Sequence, residues 1–140
     1  MDSKQKGNIT ELEVLTHATQ HGYQVSIPFG DRERYDQIWD VNGRLLKIQV
    51  KTSRLSNDST YISFSCRSNT RVQGKTLHSR YTKDEIDYFA TFWNGRCYLV
   101  PIEETSTDKR LRFEPPKNGQ KQGVSFAKDY LMEEVLKRLD

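Results

Sequence analysis

The sequence predicts a mixed α/β fold, one sheet of several strands with helices packed on it. Two observations carry this. Asn42-Gly43 and Asn94-Gly95 each sit between short apolar runs. That pattern marks a β-hairpin, because a type I′ turn needs positive φ at both central residues. Near the two ends of the chain, apolar residues recur instead at helical spacing, as Leu12, Leu15 and Ala18 and as Leu131, Val135 and Leu139.

Each element follows in order. Residues 10–21 read as a helix, with Thr10 and Glu13 as a capping box and Gly22 as the stop. Glu11 lies beside its apolar stripe. Tyr23–Ile27 reads as a strand ended by Pro28 and Gly30. Strands over about Arg34–Val41 and Arg44–Thr52 flank Asn42-Gly43, and Thr60–Cys66 follows as another. Arg67–Arg80 has no periodicity, includes Gly74, and reads as an exposed loop. Thr82–Glu85 opens a short helix or turn. Tyr88–Trp93 and Arg96–Val100 form the second hairpin, which puts Phe89, Phe92 and Trp93 in the core. Residues 103–123 read as irregular, and Phe126–Leu139 as a closing amphipathic helix.

A length of 140 residues suits a single domain over 1–140. The apolar share is 34% and the mean hydropathy −0.83, so the core is thin, but two Trp, seven Tyr and six Phe argue against disorder. No apolar run is long enough for a membrane span, and the N-terminal residues lack the apolar segment of a signal peptide. Cys66 and Cys97 are too few for a disulfide scaffold, which fits a cytoplasmic protein. His17, His21 and His78 complete no zinc motif; His17 and His21, one helical turn apart, read as surface residues.

The net charge of +3 is mild, but its distribution is uneven. Ser59–Lys83 contains no Asp or Glu, and a second basic stretch holds Lys109, Arg110, Arg112, Lys117 and Lys121 against Glu114 alone. Basic segments of this kind, at about 67–80 and 105–123, are candidate nucleic-acid contacts.

The first hairpin allows a register argument. A two-residue turn at Asn42-Gly43 pairs Val41 with Arg44, which sets Asp36 opposite Gln49. Alternation then puts Lys47, Gln49 and Lys51 in one row and Leu46, Ile48 and Val50, with Trp39 and Val41, on the core face. Asp36, Gln49 and Lys51 together are what metal-dependent phosphodiester hydrolysis needs. A carboxylate and a second oxygen hold a hard cation, and an ammonium stabilises phosphate charge. Glu11 could add a further carboxylate. Asp40, on the Asp36 face, reads as a turn-end residue.

These residues resemble a known layout. Glu11 on a first helix, Asp36 on a strand and Gln49-Val50-Lys51 on the next are similar to the PD-(D/E)XK nuclease superfamily. KGNITELEVLTHATQHGYQVSIPFGDRERYDQIWDV and the following LLKIQVKTSR most resemble its group I intron homing endonucleases. The resemblance covers the first 55 or so residues strongly and the later elements loosely. It implies a restriction-endonuclease-like αβββαβ core and Mg2+-dependent cleavage of double-stranded DNA, with Mn2+ able to substitute. It also implies a homo-oligomer, dimer or tetramer. Carried over, the catalytic residues would be Glu11, Asp36, Gln49 and Lys51, and the metal contacts Asp36, Gln49, Val50 and Glu11. Gln49 departs from the usual acid, and Tyr35 stands where the motif has proline.

The expected function is therefore site-specific DNA cleavage by a homing endonuclease, without an organic cofactor or a membrane partner. Lys47, Arg54, Arg67, Asn69, Arg71, Gln73, Lys75 and Arg80 are the candidate DNA contacts. Tyr88–Val100 and the last helix are the expected oligomer surface. The alternatives are a Holliday-junction resolvase-like nuclease, or a catalytically idle DNA-binding module of the same fold, for which the neutral Gln49 speaks.

Overall fold

The computed structural model describes residues 1–139, and of Arg71 the backbone alone. Helix α1 spans Ser3–Gln20 and starts earlier than the Thr10–Glu13 pattern suggested. Asp2 caps it: Asp2 Oδ1 accepts from Gln5 N at 2.8 Å, and Gln5 Oε1 from Asp2 N at 3.1 Å. Thr10 is not a cap but a buried helix residue, its hydroxyl donating to the Lys6 carbonyl and meeting Thr52 Oγ1 at 3.0 Å. The buried stripe is Thr10, Val14 and Ala18, four apart on one face. Leu12 falls off that line and is 63% exposed.

The strands are β1 (Gln24–Ser26), β2 (Gln37–Val41), β3 (Arg44–Val50), β4 (Arg54–Leu55), β5 (Tyr61–Ser65), β6 (Arg67–Val72), β7 (Lys75–Arg80), β8 (Tyr88–Trp93), β9 (Arg96–Pro101) and β10 (Asp108–Arg112). The main sheet has the order β1-β2-β3-β8-β9, with β3 and β8 parallel and every other pair antiparallel. A smaller sheet has the order β10-β5-β4, and β6 and β7 form a separate ribbon. The crossover from β3 to β8 runs through β4–β7 and a turn in which Glu85 and Ile86 donate to the Thr82 carbonyl.

The main sheet is covered on both faces. Alternation puts Gln37, Trp39, Ile48, Val50, Ala90 and Leu99 on one face, under α1, with Tyr23 stacked against Trp39. Gln49, Phe89, Thr91 and Val100 take the other face. There Phe64 of β5 meets Phe89 at 5.9 Å, and Ser53 Oγ lies 2.6 Å from Thr91 Oγ1. Burial on both sides explains the near-continuous apolar runs of β8 and β9.

Three segments depart from the sequence reading. Arg67–Arg80 is the β6–β7 ribbon, not a loop. It turns at Gln73-Gly74, with φ 51° and 76°, and is exposed along β7. Among the described side chains of the two strands none is buried, so neither strand shows apolar alternation. Within 105–123, Asp108–Arg112 is strand β10, held beside β5 by Leu111, which is fully buried. The C-terminal helix is broken. A 3-10 turn over Ala127–Tyr130 precedes α2 (Met132–Leu136), and a further 3-10 turn follows it. The break comes at Leu131, which is extended and bridges to Tyr98.

The expected oligomer surface is corrected too. Phe89, Ala90, Leu99, Val100, Met132, Val135 and Leu136 are spent on the core. The large exposed apolar residues are elsewhere, among them Ile9, Leu12, Ile27 and Phe29. No helix of the described residues is long and apolar enough to cross a membrane.

Gln37 stands out as a fully buried polar residue in phase with Trp39 and Val41. Its Oε1 accepts from Trp39 Nε1 at 2.9 Å, and its Nε2 donates to the Glu11 carbonyl at 2.9 Å. It therefore ties α1 to β2. Gln37→Leu strands the indole N–H in the core and is expected to cost about 1–3 kcal/mol. Urea unfolding reads the cost, and wild-type stability would refute the tether.

Candidate active site

The Asn42-Gly43 turn forms as the sequence suggests, with φ 54° and 88°, and pairs Val41 with Arg44 and Gln37 with Ile48. One more step would put Asp36 opposite Gln49. The ladder ends first. Asp36 N donates to the Ile48 carbonyl at 2.8 Å, and Asp36 Oδ2 accepts from Val50 N at 2.8 Å. The carboxylate thus takes the place of a strand partner where β2 and β3 part, while β3 continues beside β8.

Three predicted residues converge at this opening. Gln37 draws the turn of α1 that carries Glu11 against the start of β2. Burial raises the pKa of the Glu11 carboxyl, and the Asp36 charge raises it further. Asp36 is also raised by burial, against the Val50 N–H and the Lys51 ammonium. Lys51 N donates to Ala90, which continues the parallel ladder, and Lys51 Nζ donates to the Arg67 carbonyl at 2.9 Å. The ammonium stands 5.2 Å from the Tyr81 ring centre. Burial lowers the Lys51 pKa; Asp36 and Cys66 oppose this and Arg34 adds to it. Burial thus disfavours the charged form of all three groups, and the attraction between Asp36 and Lys51 opposes it.

Other predicted residues are placed differently. Gln49 is half-buried on the face turned to the small sheet, its Nε2 3.5 Å from the Val50 carbonyl, at the limit of a hydrogen bond. The Val50 side chain is buried, and its N–H is taken by Asp36. Lys47 is drawn away from this opening: its Nζ donates to the Asp84 carbonyl and its N to Asp87 Oδ2. Asp40 Oδ1 accepts from Gly43 N at 2.8 Å, the work of a turn residue. Asn69, Gln73, Lys75 and Arg80 are exposed on the β6–β7 ribbon, and Arg54 is exposed on β4. Arg67 is half-buried, and its Nε is a buried donor with no partner among the described residues. The Arg71 side chain lies outside the described residues.

Sequence reasoning missed the groups that brace the opening. Arg34 stacks on Tyr81, 4.1 Å from the ring centre, and donates to the Arg80 carbonyl, Ser79 Oγ and Glu85 Oε1. It joins the segment before Asp36 to the base of the ribbon. Tyr81 also packs edge-on against Phe89. These residues are distant in the chain and carry no motif. The one available signal was Gln37, a polar residue in a core-facing phase.

The Glu11 and Asp36 carboxyl groups, which feel each other's charge, are oxygen donors of the kind a hard divalent cation takes.

The sequence model described as "PD-(D/E)XK endonuclease" matches residues 1–133. The solved structure of a bacterial homing endonuclease, I-Ssp6803I, is similar to this chain with a TM-score of 0.78 and 23% identity, over 98% of this chain and 93% of that one. At that identity the likeness bears on the fold. No curated protein matches the chain.

Proposed function

We propose that this chain, which belongs to the PD-(D/E)XK endonuclease family, is a site-specific homing endonuclease that hydrolyses duplex DNA with Mg2+, or Mn2+ in its place. The observation that carries this is the grouping of Glu11, Asp36 and Lys51 at one opening. Similarity to a bacterial homing endonuclease supports it.

Asp36 and Glu11 would hold the cation, with the Gln49 and Val50 carbonyl oxygens at its edge. Bound there, it would polarise the scissile phosphate and supply hydroxide at neutral pH. Lys51, held by the Arg67 carbonyl, presents its ammonium to the charge that builds on the phosphate.

Two surfaces suit a duplex. A two-stranded ribbon fits the major groove, and β6–β7 offers Asn69, Gln73, Lys75 and Arg80 there. On the outer face of the small sheet, Arg110 and Arg112 lie over Tyr61, with Arg54 two strands away. These cations suit phosphates. A break in both strands needs two such sites, hence a symmetric dimer or tetramer.

The test is cleavage of supercoiled plasmid, with a four-way junction as a parallel substrate. Activity is expected to vanish in EDTA and return with Mg2+ or Mn2+. Robust cutting in excess chelator would refute the metal mechanism, and cleavage of the junction alone would replace homing with junction resolution. In the same titration Gln49→Glu is expected to cut at least as well as the wild type at limiting Mg2+, and Gln49→Ala less well, because the ligand oxygen is gone. Equal rates for Gln49→Ala and wild type would remove Gln49 from the ligand set.

A further inference from the structure

At the C-terminal end of α1, His17 and the C-cap residue His21 stand one helical turn apart with ring centroids separated by 5.1 Å. Glu133 of α2 comes between them. Its Oε1 lies 3.3 Å from His17 Nε2 and 3.3 Å from His21 Nε2, and the three ligand atoms all fall within 4.8 Å of one another. Zinc bonds to imidazole and carboxylate run about 2.0–2.2 Å, so ligand atoms on such a tetrahedron stand about 3.3–3.6 Å apart.

We propose that His17, His21 and Glu133 form a transition-metal site, suited to Zn2+, that clamps α1 to the C-terminal segment. The donor chemistry separates it from the proposed nuclease centre. Two imidazoles and one carboxylate select Zn2+ and its neighbours, whereas an all-oxygen set selects Mg2+. The surroundings favour a fixed geometry. His17 is braced by the Phe92 ring at 6.0 Å and His21 by Tyr23 at 6.2 Å. A groove of about 540 Å³ opens beside His21 and Glu133, lined in part by Tyr23, Arg44 and Lys137. It gives a metal access from solvent and gives a water room to complete the coordination. The reading of His17 and His21 as ordinary surface residues omitted Glu133, which is more than a hundred positions away and reaches them only through folding. A clamp here also steadies the helix that carries Glu11.

The test is Zn2+ binding to the full-length protein by competition with a chromophoric chelator, with and without excess Mg2+. Co2+ serves as the spectroscopic probe. One equivalent of Zn2+ is expected to bind in either condition, and Co2+ to give the intense visible bands of a four-coordinate site. Loss of even an outer partner of a metal site weakens binding about tenfold or more, so His21→Ala and Glu133→Gln are each expected to weaken Zn2+ at least that much. Glu11→Gln is expected to leave it unchanged. Zn2+ is also expected to raise the melting temperature of the wild type but not of His21→Ala, and far-UV circular dichroism establishes that each variant is folded. Zn2+ binding that survives both His21→Ala and Glu133→Gln would overturn the site. So would binding that Glu11→Gln abolishes, or a Co2+ spectrum with only weak octahedral bands.

Discussion

Asp36→Asn is expected to slow DNA cleavage at least about a thousandfold while raising the thermal stability of the metal-free protein. The two effects share one cause. Burial disfavours the charged form of Asp36, and the Asp36 charge acts on the Glu11 carboxyl. The folded pKa of Asp36 is raised, so the unfolded chain loses this proton first. Stability then falls as pH climbs from the ordinary carboxylate value to the raised one, and above that the full cost is present. Asn removes the charge but keeps an oxygen that can accept from Val50 N, so the end of the β2–β3 ladder is preserved. The melting temperature at neutral pH in EDTA is expected to rise relative to the wild type. The gain is expected to disappear below the ordinary carboxylate range, where Asp36 is protonated in both states. Mg2+ is expected to raise the melting temperature of the wild type and leave the variant unmoved. A variant that melts lower than the wild type in EDTA would show that Asp36 serves mainly as a structural acceptor.

Lys51→Met is expected to slow single-turnover cleavage about a hundredfold to a thousandfold, the effect of removing one group aimed at developing charge. Met keeps the length of the stem and deletes the ammonium. That ammonium is held on the Arg67 carbonyl and near the Tyr81 ring, so it is already positioned before DNA arrives. Its lowered pKa reflects partial withdrawal from water, which strengthens its interaction with phosphate charge. DNA affinity, read by fluorescence anisotropy, is expected to change by less than about tenfold, since only one of 22 Lys and Arg residues is lost and the salt slope falls by at most about one. A drop in affinity as large as the drop in rate would make Lys51 a phosphate anchor rather than a group that serves the reaction.

Much of the local structure was legible because its causes are local. The Asn-Gly pairs specify their own turns, and each turn sets the register of its hairpin. The candidate site was partly legible for the same reason. Register and alternation put Asp36 near the end of β3, and the preceding helix offered Glu11, which the resemblance matched. The β6–β7 ribbon was illegible because none of its described side chains is buried, so no apolar period marks it. Its turn uses Gln73 in the left-handed region, a residue that gives little warning of that conformation. The final helix was overcalled because its apolar spacing is helical, but Leu131 is pulled out to pair with Tyr98.

The two hairpins and their registers, the apolar face of β2 and β3, and the charged residues that make this chain a candidate nuclease can all be read from the order of residues. They can be read there because turn conformation and side-chain alternation depend on neighbours in the chain. Folding in three dimensions stops the β2–β3 ladder one pair short, so that the Asp36 carboxylate accepts from Val50 N. It alone joined Gln37 to the Glu11 carbonyl, Arg34 to Tyr81 and Lys51 to the Arg67 carbonyl. It alone brought Glu133 to the two histidines of α1. These partners come from separate elements and meet because burial of a shared core brings the layers together. The charges and hydrogen bonds at the layer edges are then set by which residues happen to be left facing one another.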